Sequence, residues 1–393
     1  MNILVLNAGT STLKFALFDD HLAEQTRGVI EGEAGQPAAV TGTVRRLLAN
    51  QLRDEPIGSV GHRVVHGGTR FTGTVRLDAT VKAELTRLSE LAPLHNPPAL
   101  AGIEAVEAAR PGVPQVAVFD TAFFTQLPPS RYVYPLPYAW FEQWGVRRFG
   151  FHGISHAYCA GRAAEMLGGK TGLRLVICHL GNGCSATAVR DGMAIATTMG
   201  FTPLEGLMMG TRAGSVDPGI LLHLQRRHGL SVEELNDALL HRSGLLGVSG
   251  VSADFRQVQA AAEAGHERAR LALAMYADRV RSAIGALAVT LGGVDALVFT
   301  AGVGENSSSL RATVCDGLKC LGLRLDPKRN AGCPPDADIA ATESAARILI
   351  IRTREELLIA QEASRVGLQK VIRSRLAGRR SGQHNQPRKE IPT

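Results

Sequence analysis

Short apolar runs of strand length alternate along this chain with longer stretches whose apolar residues recur every three or four positions. Residues 3–6 and 13–18, separated by a polar turn containing Gly9, predict a β-hairpin. Further strands are predicted over 59–65, 115–119, 296–300 and 347–351, and helical spacing over 79–91, 99–109, 218–227, 232–240, 267–291 and 355–367. The Pro-rich stretch 127–137 reads as a connection between two halves. Strands alternating with helices in this way define an α/β architecture.

The opening pattern returns. Leu-Val-Ile-Cys-His-Leu-Gly-Asn-Gly-Cys-Ser-Ala-Thr-Ala-Val-Arg-Asp-Gly begins at Leu175, and aligning Gly9 with Gly181 sets Asp19 on Asp191. With both second strands taken as in register, two strand-turn-strand units this far apart predict a duplicated domain. A length of 393 residues agrees, since one hydrophobic core stops growing well before that size.

An apolar fraction of 45% and a charged fraction of 20% belong to a globular chain, and 43 glycines predict many tight turns. The net charge of +7 is misleading as a pointer to nucleic acid. Seven basic residues from Lys370 onward, against the single Glu390, supply +6 of it, so the body is nearly neutral. The segment itself, rich in Arg, Gly, Ser, Gln and Pro, reads as a solvated, disordered extension. Six cysteines without a C-x-x-C pair read as reduced thiols. With no signal-like start and no run of membrane-spanning length, the expectation is a cytoplasmic protein without a membrane or nucleic-acid partner.

No Walker A loop is present: Gly169-Lys170-Thr171 would need glycine at 164, where Ala164 stands. Three glycine-rich strand ends offer backbone amides to phosphate instead: Asn7-Ala8-Gly9-Thr10, His179-Leu180-Gly181-Asn182-Gly183, and Gly302-Val303-Gly304-Glu305-Asn306. Taken singly, each is an ordinary turn.

Together with Gly61-His62-Arg63-Val64-Val65-His66, Leu94-His95-Asn96-Pro97, Phe119-Asp120-Thr121, Gly150-Phe151-His152-Gly153, Met209-Gly210-Thr211-Arg212, Ala253-Asp254-Phe255-Arg256 and Thr353-Arg354-Glu355-Glu356, they resemble the acetate kinase family over nearly the whole length. The resemblance implies a two-domain actin-like ATPase fold, a duplicated ribonuclease H-like unit with the active-site cleft between domains. It assigns 1–124 with 357–372 to an N-terminal domain, 125–356 to a nucleotide-binding domain and 373–393 to the basic tail. It also implies a homodimer that uses ATP/ADP and acetate/acetyl phosphate with Mg²⁺, for which Mn²⁺ substitutes.

Carried over residue by residue, the resemblance makes Asn7 and Glu355 the metal-side groups and gives Arg63 and Arg212 the carboxylate and the transferring phosphoryl group. Guanidinium forks match either anion in bidentate fashion. His152 donates to the phosphoryl oxygens, and Asp120 orients either the metal's waters or an arginine. Lys14, residues 179–183 (His179, Leu180, Gly181, Asn182, Gly183), Asp254, Phe255, Arg256 and residues 302–306 (Gly302, Val303, Gly304, Glu305, Asn306) contact the nucleotide, and Val65, Leu94, Phe151 and Pro203 wall the acyl group. A carboxylate nucleophile, with an ordinary pKa of roughly 4 to 5, is already ionised, so no general base is needed. In-line transfer without a phosphoenzyme follows.

The chain departs from the family pattern at Thr10, Thr12, Phe124, Ile154, Ala213, Ser215 and Arg354, none of which removes a proposed catalytic group. Two other readings share the glycine turns: a propionate kinase of the same mechanism, and a non-catalytic nucleotide-binding protein of the actin-like class. The second has no use for Arg63, His152 and Arg212 together.

Overall fold

The computed structural model describes residues 1–9, 12–31 and 36–367; Thr10 and the basic tail lie outside the described residues. The chain forms two compact units. The first takes Met1–Phe119 and the C-terminal helix, the second Asp120–Glu355.

The sheet of the first unit contains β1 (Asn2–Ala8), β2 (Thr12–Phe18), β3 (Glu24–Glu31), β4 (Ile57–Val64), β5 (Val75–Arg76) and β6 (Gln115–Phe119), in the order β3-β2-β1-β4-β6-β5. β3, β2 and β1 pair antiparallel, β1, β4 and β6 run parallel, and β5 closes the edge antiparallel. The second unit contains β7 (Arg174–Leu180), β8 (Cys184–Arg190), β9 (Met193–Thr197), β10 (Ala296–Thr300), β11 (Ala337–Asp338) and β12 (Arg347–Ile350), in the order β11-β12-β10-β7-β8-β9. Read from its other edge, this is the same sheet, strand for strand and direction for direction.

The duplication therefore covers the whole sheet, with one correction to the alignment. Ala8 pairs with Leu13, whereas Leu180 pairs with Cys184, so the second turn is one residue shorter and the second strands are offset by one. The change of unit falls at Phe119–Asp120, the end of β6, and the Pro-rich stretch belongs inside the second unit. There Leu127 joins Phe124 and Ala194 in a small apolar cluster, which holds the stretch to its own sheet.

The central strands β6 and β10 are buried at every residue, which is why they read as unbroken apolar runs. Helices Pro37–Ala49 and Asn96–Ala109 pack with each other in the core of the first unit. The C-terminal helix Glu355–Gly367 packs on β4. A Cβ on Gly61 would fall 2.6 Å from the Ile359 side chain, and Ser59 Oγ donates to the Ala363 carbonyl at 3.2 Å. Burying a side chain such as Ile359 contributes about 1.5–3 kcal/mol. In the second unit the longest helix, Glu267–Leu291, lies against β7, β8 and β9 and stops at Gly292, whose φ of 71° suits glycine. Among the described residues no helix is long and apolar enough to cross a membrane.

Candidate active site

In the first unit, Asn7 stands near the end of β1 and pairs across the ladder with Lys14 on β2. On the other side β4 runs parallel, and Arg63 follows His62, the last residue in register with β1. The three residues therefore sit side by side at one end of the sheet, and Arg63 Nη1 donates to Asn7 Oδ1 at 3.1 Å. Asn7 is buried, Arg63 half-buried and Lys14 exposed. Beyond β4, the loop holding the buried Val65 is tied to the loop of the half-exposed Leu94. Asn96 Nδ2 donates to the His66 carbonyl, and the His66 amide donates back to Asn96 Oδ1.

In the second unit, His152 is the N-cap of helix Gly153–Met166 with a left-handed φ of 58°. Such backbone in a non-glycine residue is costly and collects at functional sites. Gly153 has to be glycine: a Cβ there would stand 1.9 Å from the carbonyl oxygen of Asp120, itself buried. Phe151 is likewise buried. Glu355 is the first residue of the C-terminal helix and half-buried.

The His152 ring stacks on His179 at 4.2 Å between centroids, 21° from parallel. Serine hydroxyls hold the Nδ1 atoms of both. His152 Nδ1 lies 2.9 Å from Ser185 Oγ, and His179 Nδ1 lies 2.8 Å from Ser155 Oγ, which in turn meets Thr353 Oγ1 at 3.0 Å. The opposite edges of the rings face the 181–183 turn. A Cβ on Gly183 would lie 3.2 Å from His152 Nε2 and 3.8 Å from Arg212 Nη1, so glycine keeps open a cradle bordered by an imidazole and a guanidinium.

Arg212 reaches this cradle on the 209–212 loop, whose Gly210 amide donates to the Asn182 carbonyl at 3.0 Å. Its Nη1 donates to the Pro203 carbonyl at 3.2 Å and lies near Met209 Sδ. Among the described residues no carboxylate pairs with it, and burial pushes the guanidinium pKa down. A partly desolvated cation without a counter-charge is what an anion site requires.

Alongside lies a cavity of about 880 Å³, lined among others by Gly181, Asn182, Asp254, Phe255, Arg256, Gly302, Val303 and Asn306. Its size is that of a pocket for a nucleotide-sized molecule. His179, Leu180, Gly183, Gly304 and Glu305 do not line it. Asp254 caps helix Phe255–Glu263, and its carboxylate pairs with Arg256, which lowers its pKa. The Glu305 carboxylate turns inward and accepts from the amides of Ala301 and Thr353, both at 2.9 Å. The 302–306 segment, expected as a turn, is instead the short helix Ala301–Asn306, and beneath it the buried Arg311 donates to the carbonyls of Gly304 and Glu305 and to Asn330. Sequence reasoning named neither Arg311 nor Ser155, His156 and Ser185. The i, i+3 and i, i+4 positions of Ser155 and His156 after His152 were the available signal.

A sheet used twice, with glycine-rich strand ends beside a nucleotide-sized cavity and a cation that no carboxylate among the described residues pairs, defines a duplicated α/β fold with a site suited to a phosphorylated ligand. Comparison with known proteins narrows this. The sequence profile of the acetokinase family matches residues 33–361. An acetate kinase of Gloeobacter violaceus is 49% identical, the match covering 92% of this chain and 98% of the relative. The crystal structure of Porphyromonas gingivalis acetate kinase superposes with a TM-score of 0.85 at 39% identity, covering 93% of this chain and 99% of that one. A propionate kinase from Francisella tularensis gives 0.86 at 37%, with the same coverage. The chain belongs to the acetokinase family.

Proposed function

We propose that this protein catalyses reversible phosphoryl transfer between ATP and acetate, giving ADP and acetyl phosphate. The observation that carries the reading is Arg212, a partly buried guanidinium without a carboxylate partner among the described residues. It shares the Gly183 cradle with His152 Nε2, next to the cavity. Phosphoryl transfer passes through a loose transition state with charge on three equatorial oxygens, so catalysis is positioning and charge neutralisation. Arg212 and His152 supply a cation and an N–H donor where those oxygens develop charge. Arg63 binds the acceptor carboxylate, which attacks in line as an anion and needs no base. Gly181, Asn182, Gly302, Val303 and Asn306 hold the nucleotide, Asp254, Phe255 and Arg256 its far side, and Lys14 and Asp120 act in support.

Asn7 Oδ1 and the Glu355 carboxylate are hard oxygen donors, which fits Mg²⁺, and Mn²⁺ takes the same ligands. Held by these two residues, a bound cation would supply charge neutralisation at the transferring phosphate.

Val65, Leu94, Phe151 and Pro203 are the residues we assign to the acyl wall, and the solved propionate kinase is as similar in fold as the acetate kinase. Acyl preference therefore rests on side-chain volume. A homodimer is supported by helix Pro218–His228, which has no buried residue and exposes Ile220 and Leu222, and by the exposed Trp140 and Trp144. A cytoplasmic setting is supported by six free thiols.

The test is ADP formation with formate, acetate, propionate and butyrate, with hydroxylamine trapping of the acyl phosphate. Acetate should be preferred, and Arg212→Ala should lower kcat by about 100-fold or more with the fold intact. Near-normal kcat in folded Arg212→Ala would refute the reading.

A further inference from the structure

Ser185 Oγ lies between two imidazoles, 2.9 Å from His152 Nδ1 and 2.8 Å from His156 Nε2. We propose that His156 and Ser185 form an ordered hydrogen-bond relay that fixes His152 as its Nε2–H tautomer. The two are thus positioning residues for the transfer step, an inference that rests on the phosphoryl-transfer reading above.

The order follows from His156. This ring is fully buried and its Nδ1 has no hydrogen-bond partner in the protein among the described residues. A neutral imidazole carries one N–H and one lone pair. If the proton sat on Nδ1, a buried N–H would be orphaned, which folded proteins almost never tolerate. With the proton on Nε2, His156 donates to Ser185 Oγ and only a lone pair is left unmet. Burial, with the neighbouring His179, holds the His156 pKa far below its ordinary value, so the ring stays neutral and the two-nitrogen argument applies.

Ser185 has a single hydroxyl proton. Its Oγ is buried and meets only these two rings among the described residues, so after accepting from His156 it would orphan its own proton unless it donates to His152 Nδ1, which is then the unprotonated nitrogen. The ring proton of His152 is left on Nε2, the edge that faces Gly183 and Arg212. Without the relay, either tautomer of His152 would be open, and the Nδ1–H form would turn a lone pair toward the anionic oxygens. Stacking on His179 keeps the ring plane in place, so loss of the Ser185 contact should be felt first in the proton's position.

The full chain, labelled with ¹⁵N-histidine, is examined by long-range ¹H–¹⁵N correlation near pH 7.5, alongside steady-state kinetics. In the wild type, His152 and His156 should both show a protonated Nε2 and an unprotonated Nδ1. Ser185→Ala should remove the bias at His152 and lower kcat roughly 10- to 100-fold, the loss typical when the partner orienting a functional histidine is removed. KM for ATP and acetate should stay within about twofold. Ser185→Thr, which keeps the hydroxyl, should recover both the tautomer and kcat relative to Ser185→Ala. A wild-type spectrum with His152 as the Nδ1–H tautomer or as imidazolium overturns the relay even if no variant folds. So does a kcat loss in Ser185→Ala with the His152 tautomer unchanged. Failure of the phosphoryl-transfer reading appears separately, as absent turnover in the wild type, and leaves the spectrum to decide the relay.

Discussion

Gly183→Ala isolates the cradle from the rest of the protein. Gly183 does not use left-handed backbone, so alanine fits the local conformation, and its lower unfolded-state entropy contributes about 0.4–1 kcal/mol in its favour. Against this, the new methyl would lie 3.2 Å from His152 Nε2 and 3.3 Å from Cε1, a contact that asks the ring to move by a few tenths of an ångström. The ring has little room to give, since His179 stacks on it and Ser185 holds Nδ1. These effects nearly cancel, and the melting temperature should stay within about 2 °C. A phosphoryl oxygen accepting from Nε2 needs a place about 2.7–3.1 Å from it, which is where the methyl group sits. Removing one such donor typically costs about 10²–10³ in kcat, or ~3–4 kcal/mol. The cavity lining at Gly302, Asn306 and Phe255 is untouched, so KM for ATP should change by less than about threefold. The assay is ADP release from saturating ATP and acetate, with thermal unfolding in parallel. A folded Gly183→Ala enzyme with kcat within threefold of wild type would refute the cradle.

Val65→Ala enlarges the proposed acyl wall, and the kcat/KM ratio of propionate to acetate should rise severalfold, a methylene being worth about 1–3 kcal/mol; an unchanged ratio removes Val65 from the wall. Arg311→Met should leave the carbonyls of Gly304 and Glu305 without this donor and destabilise the fold by about 3 kcal/mol in urea titration, with KM for ATP rising as the helix Ala301–Asn306 loosens. Burial lowers His62 and His66 to about 4, so between pH 6.5 and 4 the unfolded chain binds protons that the folded chain refuses. Stability should therefore fall with pH, by roughly 2 kcal/mol per histidine at pH 5, and equal urea midpoints at pH 7 and pH 5 would contradict this. Burial pushes the thiols of Cys159 and Cys315 up to about 12 and Cys184 up to about 11, so a thiol reagent should label Cys320 and Cys333 promptly and the other four only on unfolding.

Elements with a buried face were legible because burial writes a period into the sequence. The strands Gln115–Phe119 and Ala296–Thr300 and the helix Glu267–Leu291 occupy the residues their patterns predict. β3 carried no such signal, since Glu24–Glu31 is an edge strand with scarcely a buried side chain and is held by its ladder to β2. The start of the helix Gly153–Met166 carried no capping signal, since its N-cap His152 is left-handed and makes no side-chain cap. For the site, glycine turns and arginines announced themselves as motifs, whereas the groups that orient them did not. Ser185 is one polar residue on an otherwise unremarkable strand, and only the tertiary approach of the helix Gly153–Met166 gives its hydroxyl two imidazoles. Glu305 shows the converse: it stands within a nucleotide motif, yet its carboxylate holds backbone amides.

The return of the helix Glu355–Gly367 to β4 sets a timetable for synthesis. The chain leaves the ribosome from the N-terminus, so the surface around Ser59 and Gly61 is made early and covered last, after all of Asp120–Glu355 has been translated. At about 5–20 residues per second that interval lasts on the order of 10–50 s. During it the earlier-made unit offers an uncovered strand surface to chaperones or to other nascent chains, while the later-made unit can close its own sheet first. A chain released just short of the helix Glu355–Gly367 would hold one unit with its sheet complete, and that unit would be the second to have been made.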